Sequence, residues 1–193
     1  MARELPVTPV KRSDIPNIIA VFRVLLVPPL VLLLLNHQYG SALVVFGVAG
    51  FSDALDGFLA KRYGWSSRMG AIMDPLADKL LLVASFVTLG WLGLIPPWLV
   101  ALVILRDVVI VIGAMIYHWC VAYLETTPPT LLSKLNTFTQ ILLVLAVMFS
   151  QSVQALPFLW IDILLYSVLA TTIWSGLDYV WIWGHRAWSL REK

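Results

Sequence analysis

The sequence predicts an all-α integral membrane protein of six transmembrane helices. Three observations carry that expectation. Hydrophobic residues make up 60% of the 193 positions and charged residues only 12%, and the mean hydropathy is +0.88, which sets the chain apart from soluble domains. Apolar runs recur at the roughly 20-residue length that a hydrocarbon core demands of a helix. The basic residues collect on alternate connections, the signature of a chain that crosses a bilayer repeatedly.

Cut by that ruler, the spans fall at 17–36, 41–60, 70–93, 97–121, 132–152 and 156–182. The segment before span one, "RELPVTPVKRSD", sets apolar residues between basic ones, so it reads either as an amphipathic strip on an anionic membrane surface or as a disordered tail. It is too long and polar for a secretory signal. "NHQYG" links spans one and two, the charged "KRYGWSSRM" spans two and three, a tight turn at "GLIPP" spans three and four, "LETTPPT" spans four and five, and "QSVQA" spans five and six. No connection is long enough for a second domain, so residues 1–193 are expected to form one membrane domain. Its cytoplasmic N-terminal segment is 1–16 and its basic cytoplasmic tail 183–193.

Orientation follows from charge. Arg3, Lys11 and Arg12 precede span one, Lys61, Arg62 and Arg68 lie after span two, Lys134 opens span five, and Arg186, Arg191 and Lys193 follow span six. Both termini and the loop at 61–69 are therefore expected in the cytoplasm. Nine tryptophans and six tyrosines suit the aromatic belts of a bilayer surface. Cys120 is the single cysteine, so no intrachain disulfide is expected. A net charge of +2 gives no reason to expect a nucleic-acid partner.

Against that background, the acids of "FSDALDGFLAKRYGWSSRMGAIMDPLADKL" (51–80) stand out. Asp53 and Asp56 fall in the last turns of span two and Asp74 and Asp78 in the first turns of span three, so all four converge on one membrane face. Spacings of three and four put each pair on one helical side. An ionised side chain at the bilayer centre costs about 2.5–3.5 kcal/mol and four on the order of 10, so the cluster calls for cations. A helix N-terminus favours Asp74 and Asp78 and a C-terminus disfavours Asp53 and Asp56. Hard divalent ions, Mg²⁺ or Mn²⁺, suit an oxygen-only donor set, and four carboxylates can hold two of them as a clamp on a pyrophosphate. Gly57, Ala60 and Gly70 leave room for a bulky ligand, although close helix packing asks for the same residues. Interfacial acids paired with Lys61, Arg62, Arg68 and Lys79 are the plainer reading.

Taken together, Asp53, Asp56-Gly57, Ala60, Gly70, Asp74 and Asp78 resemble the signature of the CDP-alcohol phosphatidyltransferase family, D-x2-D-G-x2-A-R-x8-G-x3-D-x3-D. One position departs from it: Lys61 stands where the family has arginine, with Arg62 next to it. Lysine keeps the charge and loses the bidentate fork. "DIPNIIAVFRVLLVPPLV", with Asn17, Arg23 and Pro28, resembles the glycerophospholipid-synthesising branch. The resemblance implies six transmembrane helices, a homodimer, and a cytosol-facing site open to lipid. It implies transfer of the phosphatidyl group of CDP-diacylglycerol to an alcohol with release of CMP. It further implies two divalent ions on Asp53, Asp56, Asp74 and Asp78, Asp78 as catalytic base, and Gly57, Ala60, Lys61, Arg62 and Gly70 around the CDP moiety.

For the acceptor, Arg106-Asp107, Ser133-Lys134 and Asn136-Thr137 resemble CMP-forming cardiolipin synthases. Phosphatidylglycerophosphate synthases more often carry a second arginine-glutamate pair, and here the residues are Met115, Ile116 and Tyr117. That favours phosphatidylglycerol as acceptor over glycerol 3-phosphate. Arg23, Arg106 and Lys134 are the candidate acceptor contacts. A structural pair, Arg106 with Asp107, competes with that role for the arginine, and a positive-inside anchor competes for Lys134. His37, His118, His185 and Asp178 read as span-end residues. A cation transporter is the rival class, but it is expected to place its carboxylates near the midplane between repeats. A bacterial inner membrane is the expected location, with a mitochondrial inner membrane as the alternative.

Overall fold

A computed structural model describes the backbone of residues 15–63, 70–120 and 130–191 and the side chains of 19, 21–52, 79–113 and 130–179. Over those residues the chain forms six helices: α1 Ile15–Leu35, α2 Tyr39–Tyr63, α3 Gly70–Trp91, α4 Pro97–Cys120, α5 Leu131–Ser152 and α6 Phe158–Arg191. The first five agree with the predicted spans to within a few residues. The last does not stop at 182: α6 is helical for 34 residues, through most of the segment expected to be a tail. At about 1.5 Å per residue that is roughly 50 Å, well beyond a hydrocarbon core of about 30 Å. The N-terminal strip, the loop at 64–69 and most of "LETTPPT" lie outside the described residues.

Each described connection is closed by local hydrogen bonding. After α1, His37 takes the left-handed conformation (φ 57°). Its N–H donates to the Leu34 carbonyl at 2.9 Å and the Gln38 N–H to the Leu33 carbonyl at 2.9 Å, the pairing of a Schellman cap. Gly is usual at this position; here the His37 ring is held by Tyr39, Nδ1 to hydroxyl at 2.8 Å. The end of α3 repeats the motif around Gly93 (φ 72°), with Leu94 N–H on the Leu89 carbonyl at 2.9 Å. Pro97 then opens α4, where its missing N–H is harmless. Thr130 caps α5 by accepting from the Ser133 N–H at 3.2 Å.

Packing follows stripes of period 3.5. Among the described side chains, Arg23, Val27, Leu30 and Leu34 are the buried positions of α1, and Ala42, Phe46 and Ala49 those of α2. Pro28 and Pro29 sit inside α1 on its exposed side, so the lost backbone donors do not fall in the core. α1 packs on α3 and α2, α5 on α6 and α2, and α4 on α6 and α3. One apolar cluster, which includes Leu30, Phe86, Leu99, Leu143 and Val168, ties the bundle together.

The outer faces carry many large apolar side chains. Leu25, Val44, Phe51, Leu105, Trp174 and Leu177 are each more than half exposed, a surface that suits lipid and not water. Among the described residues, two helical stretches are long and apolar enough to cross a membrane, Leu131–Ser152 and Phe158–Tyr179. Val21–Leu35, Tyr39–Ser52 and Lys79–Trp91 are shorter apolar stretches.

Candidate active site

The backbone puts Asp53, Asp56, Gly57, Ala60, Lys61 and Arg62 in the closing turns of α2, and Gly70, Asp74 and Asp78 in the opening turns of α3. Their side chains lie outside the described residues. α2 and α3 are neighbours. Gly50, three residues before Asp53, and Lys79, immediately after Asp78, line one cavity. The acid-bearing segments are thus at the same end of the bundle. Among the described residues no group of three His, Cys, Asp or Glu side chains gathers; the donor set expected from the sequence is the four aspartates. In its chemistry that set fits a hard divalent ion: oxygen donors only, two from each helix, with no soft ligand among them.

Next to this end lies a buried ionic network. Arg106 of α4 is 6% exposed. Its Nη1 donates to Asp107 Oδ1 at 2.7 Å. Its Nη2 donates to Ser133 Oγ of α5 at 2.8 Å and to Ser175 Oγ of α6. The guanidinium also lies 5.9 Å from the centre of the Tyr179 ring, within cation–π range. Asp107 Oδ1 receives Lys79 Nζ of α3 at 3.0 Å as well. Two cations therefore share one carboxylate, and four helices meet at the pair.

Of the candidate acceptor contacts, Arg106 is thus joined to the structural pair that competed for it, with Nε left without a partner. Arg23 is fully buried in α1. Lys134 is exposed in the first turn of α5. The fold does not gather these three into one contact set among the described side chains.

Ser133 and Asn136 were named from the sequence only as carriers of the resemblance, and Gln140, Thr171 and Thr172 were not named. Asn136 Oδ1 accepts from Thr171 and Thr172 hydroxyls, both at 2.9 Å, which ties α5 to α6. Gln140, one turn on, is 3% exposed, and neither its Nε2 nor Asn136 Nδ2 has a hydrogen-bond partner. The signal was present. Ser133, Asn136 and Gln140 recur at three and four in an otherwise apolar helix, a polar stripe that in lipid has to face the bundle interior.

A protein-family model described as CDP-alcohol phosphatidyltransferase matches residues 13–174, a stretch that takes in the tetrad, the polar stripe, and Lys79, Arg106, Asp107 and Ser133 of the ionic network. The chain belongs to that family. CDP-alcohol phosphatidyltransferases are membrane proteins that generally depend on divalent cations. Among relatives, the chain is 32% identical over 181 residues to "Cardiolipin synthase (CMP-forming)" of Rattus norvegicus, covering 86% of this chain and 60% of that protein. It is 31% identical over 187 residues to "CDP-diacylglycerol--glycerol-3-phosphate 3-phosphatidyltransferase 1, chloroplastic" of Oryza sativa, covering 86% and 56%. It is 30% identical over 178 residues to a "Probable phosphatidylglycerophosphate synthase" of Mycobacterium tuberculosis, covering 87% and 80%. The chain spans about 60% of the length of the curated relatives it matches first.

Proposed function

We propose that the chain transfers the phosphatidyl group of CDP-diacylglycerol to a glycerol-based alcohol and releases CMP, with phosphatidylglycerol as the acceptor and cardiolipin as the product. The observation that carries the proposal is the tetrad Asp53, Asp56, Asp74 and Asp78, spaced as the family spaces it and borne on facing helix ends within the 13–174 match.

Asp53, Asp56, Asp74 and Asp78 are the residues that would hold two divalent ions, Mg²⁺ or Mn²⁺. Bound there, the ions supply Lewis-acid stabilisation of charge on the donor pyrophosphate. Gly57, Ala60 and Gly70 give the cytidine room, and Lys61 with Arg62 neutralises phosphate charge. Asp78 takes the proton of the acceptor hydroxyl as its oxygen bonds to the phosphatidyl phosphorus. The bond from that phosphorus to the bridging oxygen breaks, and CMP leaves with the electron pair. Lys134 and the buried Arg23 supply positive charge on the acceptor side, and Arg106, bonded to Asp107, Ser133 and Ser175, adds to that field from within the bundle. Further parts of the reading are a single domain over 1–193, six spans with both termini in the cytoplasm, residence in a bacterial inner membrane, and a homodimer.

A second acceptor, glycerol 3-phosphate, is favoured by the near-equal identity to relatives named for either product. Against it stands "AMIYH" (114–118) in place of a second charged pair. The test is direct. Purified protein with CDP-diacylglycerol and Mg²⁺ or Mn²⁺ is expected to release CMP with phosphatidylglycerol. Turnover of glycerol 3-phosphate alone reverses the acceptor assignment. No CMP release with either acceptor, or Asp78→Asn as active as wild type, overturns the transferase reading.

A further inference from the structure

One residue past Asp78, in the third turn of α3, stands Lys79. Its Nζ reaches across to Asp107 Oδ1 of α4 at 3.0 Å, and the same oxygen accepts from Arg106 Nη1 at 2.7 Å. The two cations are held differently. The Arg106 side chain is 5% exposed and is fixed a second time through Nη2, which donates to Ser133 and Ser175. The Lys79 side chain is 43% exposed, and among the described residues Asp107 is the group that orients its ammonium. Asp107 is clamped by the buried guanidinium, so Lys79 meets an anion already in place.

Without that anion the ammonium has a nearer choice. A lysine carries its charge on a flexible four-carbon stem, long enough to turn back to the carboxylate of a chain neighbour. Asp78 is that neighbour. An ionised carboxylate only accepts, so an ammonium on Asp78 occupies lone pairs that a divalent ion requires and repels any cation held close by. Pairing with Asp107 removes both effects. It also draws on preorganisation, because the anchored carboxylate has little freedom left to lose, whereas an ordinary exposed pair is weakened by ordering both of its side chains.

From these contacts we propose that Asp107 is a positioning residue for the acid tetrad: it keeps the Lys79 ammonium from pairing with Asp78, which leaves the carboxylates of α2 and α3 open to divalent ions. The proposal rests on the reading of the four aspartates as the ion site and deepens it. It gives the network of Lys79, Asp107 and Arg106 a task besides tying helices together, and the two tasks separate under mutation. An Asp107 that only braces the bundle affects ion binding whether or not Lys79 is present. An Asp107 that acts through Lys79 matters to the ions only while the lysine is there.

The test is a double-mutant cycle on the full chain in detergent, read as Mn²⁺ binding without substrates from the electron paramagnetic resonance of the free ion. Asp107→Asn keeps the shape and removes the charge. It is expected to weaken Mn²⁺ binding about three- to tenfold, between the coupling of exposed charges and that of buried ones. Lys79→Met is expected to bind Mn²⁺ at least as tightly as wild type. The double variant, Lys79→Met with Asp107→Asn, is expected to return to within about twofold of Lys79→Met. Mn²⁺ binding that is unchanged in Asp107→Asn, weakened in Lys79→Met, or as weak in the double variant as in Asp107→Asn overturns the proposal. If Asp107→Asn lacks a helical circular dichroism spectrum, Asp107→Ser, neutral and smaller, gives the same reading.

Binding without turnover separates this inference from its parent. Wild type that binds Mn²⁺ and releases no CMP overturns the transferase reading alone, and the cycle still decides the role of Asp107. Wild type that binds no Mn²⁺ overturns the tetrad as an ion site and this proposal with it.

Discussion

At the scale of single residues, Asp78 and Lys134 on one side and Arg106 on the other are expected to behave differently when replaced. Asp78→Asn removes the proposed proton acceptor and is expected to lower kcat by about 10²- to 10⁴-fold, read as CMP release at saturating substrates. Chelation by EDTA abolishes that release, and added Mg²⁺ or Mn²⁺ restores it. Lys134 is exposed, so Lys134→Ala is expected to raise the acceptor KM about tenfold and to leave the thermal midpoint unchanged. Arg106 joins Asp107, Ser133 and Ser175 across three helices. Removing one member of a buried pair costs about 3–5 kcal/mol. Arg106→Ala should therefore lower the apparent midpoint by about 6–20 °C, followed by thermal unfolding in detergent. A midpoint equal to wild type, with only the acceptor KM raised, would show that the guanidinium serves the substrate and not the bundle.

Among the elements, the α3–α4 turn offers a controlled comparison. A Cβ at Gly90 would stand 2.7 Å from Val100 Cγ2, whereas one at Gly47 meets nothing within 4 Å. Gly90→Ala is expected to cost about 1–3 kcal/mol through overpacking. Gly47→Ala in α2 is expected to be neutral or to stabilise by up to about 1 kcal/mol. Paired melting curves decide between them. Helix positions of this kind were legible in advance, because hydrophobic length, Gly93 and the "PP" at 96–97 mark ends by local chemistry alone. The far end of α6 was not. Charge past 182 reads as a tail, while helix continuation depends on i, i+4 backbone bonding that any residue other than proline can supply. The four acids could be read as one motif because their spacing is local, and their side chains lie outside the described residues. Arg106's partners, Ser133 and Ser175, are 27 and 69 residues away, and no periodicity within one helix reveals which serine on another will answer it.

For the whole molecule, the proposed topology places both termini on the same side. Fusions of a fluorescent protein that matures only in the cytoplasm are expected to glow at either end, and a dark C-terminal fusion would require an odd number of crossings. The alternation is consistent with the geometry of the hairpins: Lys79 early in α3 meets Asp107 in α4, and Ser133 early in α5 shares Arg106 with Ser175 late in α6. The hydrogen bonds of Asn136 carry this further. Its carbonyl is answered by Thr171 and Thr172, and Thr139 meets Thr171 at 3.1 Å, so every one of these bonds closes between α5 and α6. A ribosome that has released α5 but not yet α6 presents the bilayer with a helix whose Asn136 side-chain carbonyl has no counterpart. The last hairpin is therefore the smallest piece of this chain that can leave the insertion machinery with those groups satisfied, and its two halves are expected to enter the membrane together.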